Sequence, residues 1–195
     1  MKKLLLVFAA TFFLTGCFGS GTTISDITSG EKSTNPNFNL YETAGFSIEI
    51  PKDWEIIDSK TFTSNVPAET IVGFRNNLRN EVFTSNVNVS QSKIPEETTS
   101  ADFGKSTVLK AKESLVGFKE LSKEDLTIKI SDTEIQTFIS GFEGKKSPAD
   151  PIINFKQLYI SYKGAGYVIT GAYLPIEDES VVKMIDAMLH SFSLK

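Results

Sequence analysis

The chain has 195 residues, of which 40% are hydrophobic and 23% charged, and its 20 basic and 24 acidic side chains give a formal net charge of −4 at neutral pH. This acidic balance offers no electrostatic footprint for nucleic acid, whose phosphates attract basic faces. With one histidine and one cysteine, it excludes a zinc site of the usual His and Cys type and any internal disulfide.

The chain opens MKKLLLVFAATFFLTGC. Lys2 and Lys3 precede an apolar run from Leu4 to Leu14, then Thr15, Gly16 and Cys17. That pattern reads as a secretory signal peptide. The run holds eleven residues, well short of the roughly 20 that a membrane-spanning helix needs. Leu14, Thr15, Gly16 and Cys17 resemble the lipobox of bacterial lipoproteins. The resemblance implies diacylglycerol transfer to the Cys17 sulfur and cleavage before Cys17, often with acylation of the new amine. Each buried methylene contributes about 0.8 kcal/mol, so two or more acyl chains anchor stably where one is marginal. Phe18 stands where Asp is the usual inner-membrane retention signal, which favours outer-membrane sorting in a cell with two membranes. Without residues 1–16 the side chains are 18 basic and 24 acidic, a formal charge near −6.

Phe18 to Leu40 is rich in Gly, Ser, Thr and Asn, a composition that cannot bury enough surface to order itself. It reads as a tether with a span of roughly 25 Å. Residues 41–195 have the size of one domain with its own core.

Phe46, Ile48 and Ile50 alternate with Ser47 and Glu49, the period of a half-buried strand. Pro51 suits the second position of a turn over Ile50, Pro51, Lys52 and Asp53. Trp54 to Ile57 then reads as the return strand of a hairpin. Strands are predicted over 69–75 and 82–90, with NNLRN as the loop between them. Phe103, Thr107, Ala111 and Leu115 recur every four residues, with Val108 beside them, and predict a helix. Thr99 and Asp102 form its capping arrangement and Gly117 its stop. Four strands follow, at 126–130, 134–142, 153–162 and 166–174, apolar enough on both faces to be covered on both sides. Ser131 and Asp132 mark the first turn between them. Glu177, Asp178 and Glu179 then precede Val181, Val182, Ile185, Met188, Leu189 and Phe192 at helical spacing, three acids suited to a helix N-terminus.

A strand GFSIEIPKDW near the domain start, a central helix, four later strands and a closing helix ending in SFSLK resemble PsbP-like domains. Phe46, Ile48, Pro51, Trp54 and Phe192 carry this resemblance over about 150 residues. The family includes the extrinsic subunit of photosystem II, bacterial lipoproteins of unassigned role, and a yeast protein that binds the GTPase Ran. The resemblance implies an α+β fold, a central antiparallel sheet of about six strands flanked by helices on both faces. It also implies action by docking onto proteins rather than by catalysis. No photosystem-binding or metal-binding residue maps onto this chain.

The sequence holds no GxSxG elbow, phosphate-binding glycine loop or HExxH motif. His190, the only histidine, reads as a helix-end residue facing the dipole. Glu49, Asp53, Glu55 and Asp58 cluster around the opening corner, where a carboxylate pair could in principle hydrolyse glycosides, but their alternation reads as a solvated face. Glu177, Asp178 and Glu179 lack the spacing of a calcium loop. Arg75 and Arg79 bracket one loop, read mainly as exposed and secondarily as a partner contact. Tyr159, Tyr162, Tyr167 and Tyr173 fall on two adjoining strands, where sheet packing is the main reading and a ligand groove the minor one. The pentapeptide FTSNV occurs at 62–66 and 83–87 without further similarity, a coincidence of strand and turn composition.

The expected protein is a monomeric, non-enzymatic binding or assembly domain. Lipid on Cys17 holds it to a bacterial membrane, facing the periplasm or the cell exterior and an unidentified envelope protein. The alternative is a small-ligand carrier with a groove between sheet and helix; a carboxylate hydrolase ranks last. No catalytic, cofactor or metal residue is expected.

Overall fold

The computed structural model describes residues 35–62, 68–130 and 133–195. The segments expected to be signal peptide and, for the most part, tether, together with Cys17, the expected turn at Ser131 and Asp132 and most of the first FTSNV copy, lie outside them.

The described residues form ten strands and two α-helices, and the strands pair into two antiparallel sheets rather than the one sheet of about six strands expected. Strands β1 (Phe38–Glu42), β2 (Phe46–Pro51) and β10 (Ser193–Leu194) make a three-stranded sheet in the order β1-β2-β10. Strands β3 (Trp54–Asp58), β4 (Thr70–Asn76), β5 (Asn86–Lys93), β6 (Val116–Ile130), β7 (Thr133–Lys145), β8 (Ile153–Tyr162) and β9 (Ala165–Tyr173) make a seven-stranded sheet in the order β3-β4-β5-β9-β8-β7-β6. The first strand starts at Phe38, three residues before the expected domain start, because Phe38 is buried opposite Pro51.

The alternation in β2 is as expected, with Phe46, Ile48, Ile50 and Trp54 all buried. The hairpin reading of this corner needs correction. β2 pairs with β1 and β10, whereas β3 pairs with β4, Trp54 lying opposite Asn76. The Pro51 corner passes the chain from one sheet to the other. Pro51 lacks a backbone donor, and beyond it Lys52 donates its N–H to Asn37 O at 3.1 Å.

Helix α1 (Ser100–Ser114) begins as predicted, Thr99 Oγ1 accepting the Asp102 N–H at 3.1 Å. It ends at Ser114, before Gly117. Gly117 has φ +68° and lies in β6 at an irregularity of register between Val116 and Lys119. Its freedom from a Cβ serves a bulge rather than a helix stop. β6 itself is ten residues longer at its N-terminal side than the predicted 126–130. Lys119, Glu120, Lys123, Glu124 and Asp125 hide the strand in a charged stretch, which is how an edge strand avoids pairing with another chain.

Helix α2 (Glu179–Ser191) buries Val181, Ile185, Met188 and Leu189. Ile185 lies over Gly171 of β9, where a Cβ would collide with its methyl. Around it gathers the largest core cluster: Phe46, Ile48 and Trp54 from the N-terminal corner, Leu158, Ile160 and Ile169 from the long sheet, and Phe192. α1 approaches the same sheet through Gly104, whose absent Cβ would lie 2.7 Å from Phe138 and 2.8 Å from Tyr159. Phe103, Phe138, Tyr159 and Val168 form a separate cluster there. Neighbouring residues of β8 therefore alternate between clusters, Leu158 and Ile160 packing with α2 and Tyr159 with α1. This accounts for the near-continuous apolar reading of β8 and β9.

Candidate functional site

The fold places His190, Arg75 and Asp178 in contacts with neighbouring elements or with their own helix. His190, on the last turn of α2, is half-exposed. Its Nδ1 lies 2.8 Å from Asp186 O and its Nε2 3.1 Å from Glu124 Oε1 on β6. Burial alone lowers the imidazole pKa. The Asp186 carbonyl, the Glu124 hydrogen bond and the charges of Glu124 and Asp186 together outweigh it and leave the pKa raised.

Arg75 is buried in β4, not exposed in a loop. Its Nε and a terminal nitrogen donate to Glu55 Oε2 on β3 at 3.2 and 2.6 Å. Cross-strand pairing of Glu55 with Arg75 makes this contact, so the guanidinium is engaged within the fold. Arg79 is exposed and lies 3.8 Å from the same oxygen. Of the other corner acids, Asp53 is exposed, Glu49 is half-buried, and Asp58 caps a short 3₁₀ turn by accepting the Lys60 N–H at 2.9 Å. Glu55 and Asp58 are thus held by partners of their own.

Asp178 is the N-cap of α2, accepting the Ser180 N–H at 2.8 Å. Hydrogen bonds from the Ser180 side chain and then its backbone hold its carboxyl below the usual range. Glu179 pairs with Lys183 one turn on at 2.8 Å. Glu177 reaches away to accept the Ser85 hydroxyl. Among the described residues no group of three or more His, Cys, Asp or Glu could hold a metal ion.

The tyrosines divide between two core clusters, with Tyr162 packed against the one that holds Tyr167 and Tyr173. Tyr159 belongs to the α1 cluster, whereas Tyr167 and Tyr173 belong to the α2 cluster. Lys163 Nζ lies 4.8 Å above the Tyr162 ring. The second FTSNV copy starts with buried Phe83 in the loop before β5.

One constellation is missed by the sequence reading. Tyr159 Oη donates to Gln157 Oε1 at 3.0 Å and shares a hydrogen bond with Ser140, and Gln157 Nε2 donates to Thr170 Oγ1 at 3.0 Å. Thr137 donates to the Tyr159 carbonyl. Gln157 and Tyr159 at i and i+2 on one strand share a face, the one signal available in advance. Burial pushes the Tyr159 hydroxyl well above its ordinary range, only partly offset by Ser140. It stays protonated, and its partners are hydroxyls and amides with no general base. The network ties β7, β8 and β9 together through their side chains.

The long sheet also gathers its loops by end. Antiparallel pairing brings Asn76, Asn86, Tyr173, Ile153, Lys145 and Val116 to one edge of the described structure. The Pro51–Trp54 corner joins them through Trp54 and Asn76. Eight large hydrophobic side chains are exposed among the described residues, and five of them, Leu78, Val82, Val116, Ile152 and Ile176, lie at this end. No described helix is long and apolar enough to cross a membrane.

No protein-family model matches the chain, and no curated protein matches it in sequence. Solved structures do resemble it. The solution structure of cyanobacterial PsbP (CyanoP) from Synechocystis sp. PCC 6803 aligns with a TM-score of 0.57 at 15% identity, covering 87% of this chain and 99% of that one. LpqN of Mycobacterium tuberculosis, described as involved in cell envelope biogenesis, aligns with a TM-score of 0.51 at 12% identity, covering 85% and 88%. The chain has a PsbP-like fold.

Proposed function

We propose that this chain, with its PsbP-like fold, is a lipid-anchored, non-enzymatic domain on the outer side of a bacterial membrane that works by docking onto an envelope protein. One observation carries the reading. The side chains that chemistry would recruit are engaged in holding the fold: His190 with Asp186 and Glu124, Arg75 with Glu55, Asp178 as a helix cap, Tyr159 in a buried network. Cys17 in its lipobox setting supplies the anchor, with the outer membrane favoured by Phe18. The likeness to LpqN, described as involved in cell envelope biogenesis, fits this placement. In this reading α1 and α2 cover opposite faces of the long sheet, which the alternation of β8 residues between two clusters supports. The sheet edges and loop ends are then left as contact surfaces.

The test has two parts. Cys17→Ser is expected to move the protein from the membrane to the soluble or secreted fraction; firm retention after a high-salt wash sinks the anchor. Crosslinking on intact cells is expected to enrich a specific envelope protein over the Cys17→Ser control. No enrichment removes the docking role.

A further inference from the structure

Exposed aliphatic residues scattered singly over a surface are ordinary. Here five of the eight among the described residues lie at one end of the long sheet, and the two most exposed, Ile176 at 89% and Leu78 at 76%, stand in the connections that follow β9 and β4. The turn bases are tied down. Asn76 Oδ1 accepts the Leu78 N–H at 3.0 Å, and Asn80 Oδ1 accepts the Val82 N–H at 2.8 Å. Phe83 is buried beside Leu174, and the Ser85 hydroxyl donates to Glu177, so the 77–85 and 174–178 turns brace one another. Leu78, Val82 and Ile176 are thereby held outward while an apolar neighbour on each turn faces the core.

The chain enters the described structure at this same end. Phe38 lies opposite Pro51 and Asn37 O accepts the Lys52 N–H. Two residues on, Trp54 lies opposite Asn76, whose side chain begins the Leu78 turn. The path from Cys17 therefore arrives beside the apolar tips. The opposite end, with the turns Ile94–Thr99 and Lys163–Gly164, lies a strand length away. Around the tips acids outnumber bases, Asp53, Glu81, Glu177, Asp178 and Glu179 against Lys52 and Arg79, so attraction to an anionic surface does not drive the contact and insertion of aliphatic side chains is the available mode of binding.

We infer that the Leu78, Val82 and Ile176 tips form a membrane-seating surface that inserts into the lipid interface and fixes the orientation of the domain on its own membrane. The occupant is the bilayer that carries the anchor. This rests on the reading of Cys17 as a lipid attachment site. A few exposed aliphatic side chains bind lipid weakly by themselves, since stable attachment takes more buried methylenes than three tips provide. A tether that holds the domain beside the bilayer raises the effective concentration and makes such weak contact persist. The domain is then seated with the Pro51 corner toward lipid, and the far turns and the long β6 edge point to the envelope partner.

The experiment uses the full, lipidated chain in vesicles of phosphatidylethanolamine and phosphatidylglycerol. Cys17 is blocked by its thioether, so a cysteine introduced by Leu78→Cys, Val82→Cys or Ile176→Cys takes a polarity-sensitive fluorophore selectively, as does a far-end control, Glu97→Cys. The expected result is a blue shift and quenching by nitroxide lipids at 78, 82 and 176, with neither at 97. Protein that floats with the vesicles while all four labels report water overturns the seating and leaves the anchor intact. Labels that stay wet on vesicles but shift on native envelopes assign the tips to a protein partner and overturn it as well. Protein that does not float overturns the Cys17 reading and the seating with it.

Discussion

His190 shows how a residue that suggests chemistry becomes a structural one. An imidazole at a helix end beside Glu124 has its folded pKa raised above the ordinary value of about 6.5. A raised pKa means that protonation favours the folded state. The contribution is fully present below about pH 6.5 and is lost as pH rises through the folded value. Urea unfolding of the native chain and of His190→Gln is expected to give a stability difference that shrinks between pH 6 and 8. A difference independent of pH contradicts the assignment, and Glu124→Gln should reduce the pH dependence without moving the rest of the fold. Arg75 makes the same point. Its type and exposed neighbour Arg79 point to a partner, but cross-strand pairing places Glu55 within 2.6 Å and supplies the partner internally. Residue identity was legible at both positions. The partner was not, because Glu124 is 66 residues from His190 and Glu55 is 20 from Arg75.

Among the elements, those with a strong period were legible and those without one were hidden. α1 and α2 follow from apolar spacing and from caps at Thr99 and Asp178. β6 was mostly hidden because an exposed edge strand has no buried face to impose alternation and carries charges that guard the edge. The β8–β9 turn places Lys163 at φ +48° and Gly164 at +76°, the left-handed pair that a two-residue hairpin requires. A lysine there carries a conformational cost of about 1 kcal/mol, partly offset by about 0.5 kcal/mol from its ammonium over Tyr162. Lys163→Asn is therefore expected to stabilise the protein by roughly 0.5 kcal/mol, read as a higher urea midpoint. A lower midpoint shows that the contact with Tyr162 outweighs the backbone strain.

The whole molecule is closed by its last residues. β10 pairs with β2, the Lys195 N–H donates to Gly45 O at 3.1 Å, and Phe192 stacks on Phe46 with ring centroids 5.3 Å apart. The small sheet is thus fastened to α2 and the main core by the C-terminus. Phe192→Ala is expected to destabilise by about 3–5 kcal/mol, as for other buried aromatic truncations, a large part of a typical domain's margin of about 5–15 kcal/mol. An unchanged thermal midpoint means that the small sheet contributes little to the folded state. The sequence by itself carried the apolar spacing of the two helices and the inward side of Phe46, Ile48 and Ile50, because these depend on neighbours within a turn or a pleat. Only the tertiary structure decided that the Pro51 corner links two sheets, that Glu55 holds Arg75, and that Leu78, Val82 and Ile176 lie at the same end of the long sheet. Those outcomes depend on which distant strands pair, and strand pairing is set by the burial of a whole face rather than by any local run of residues.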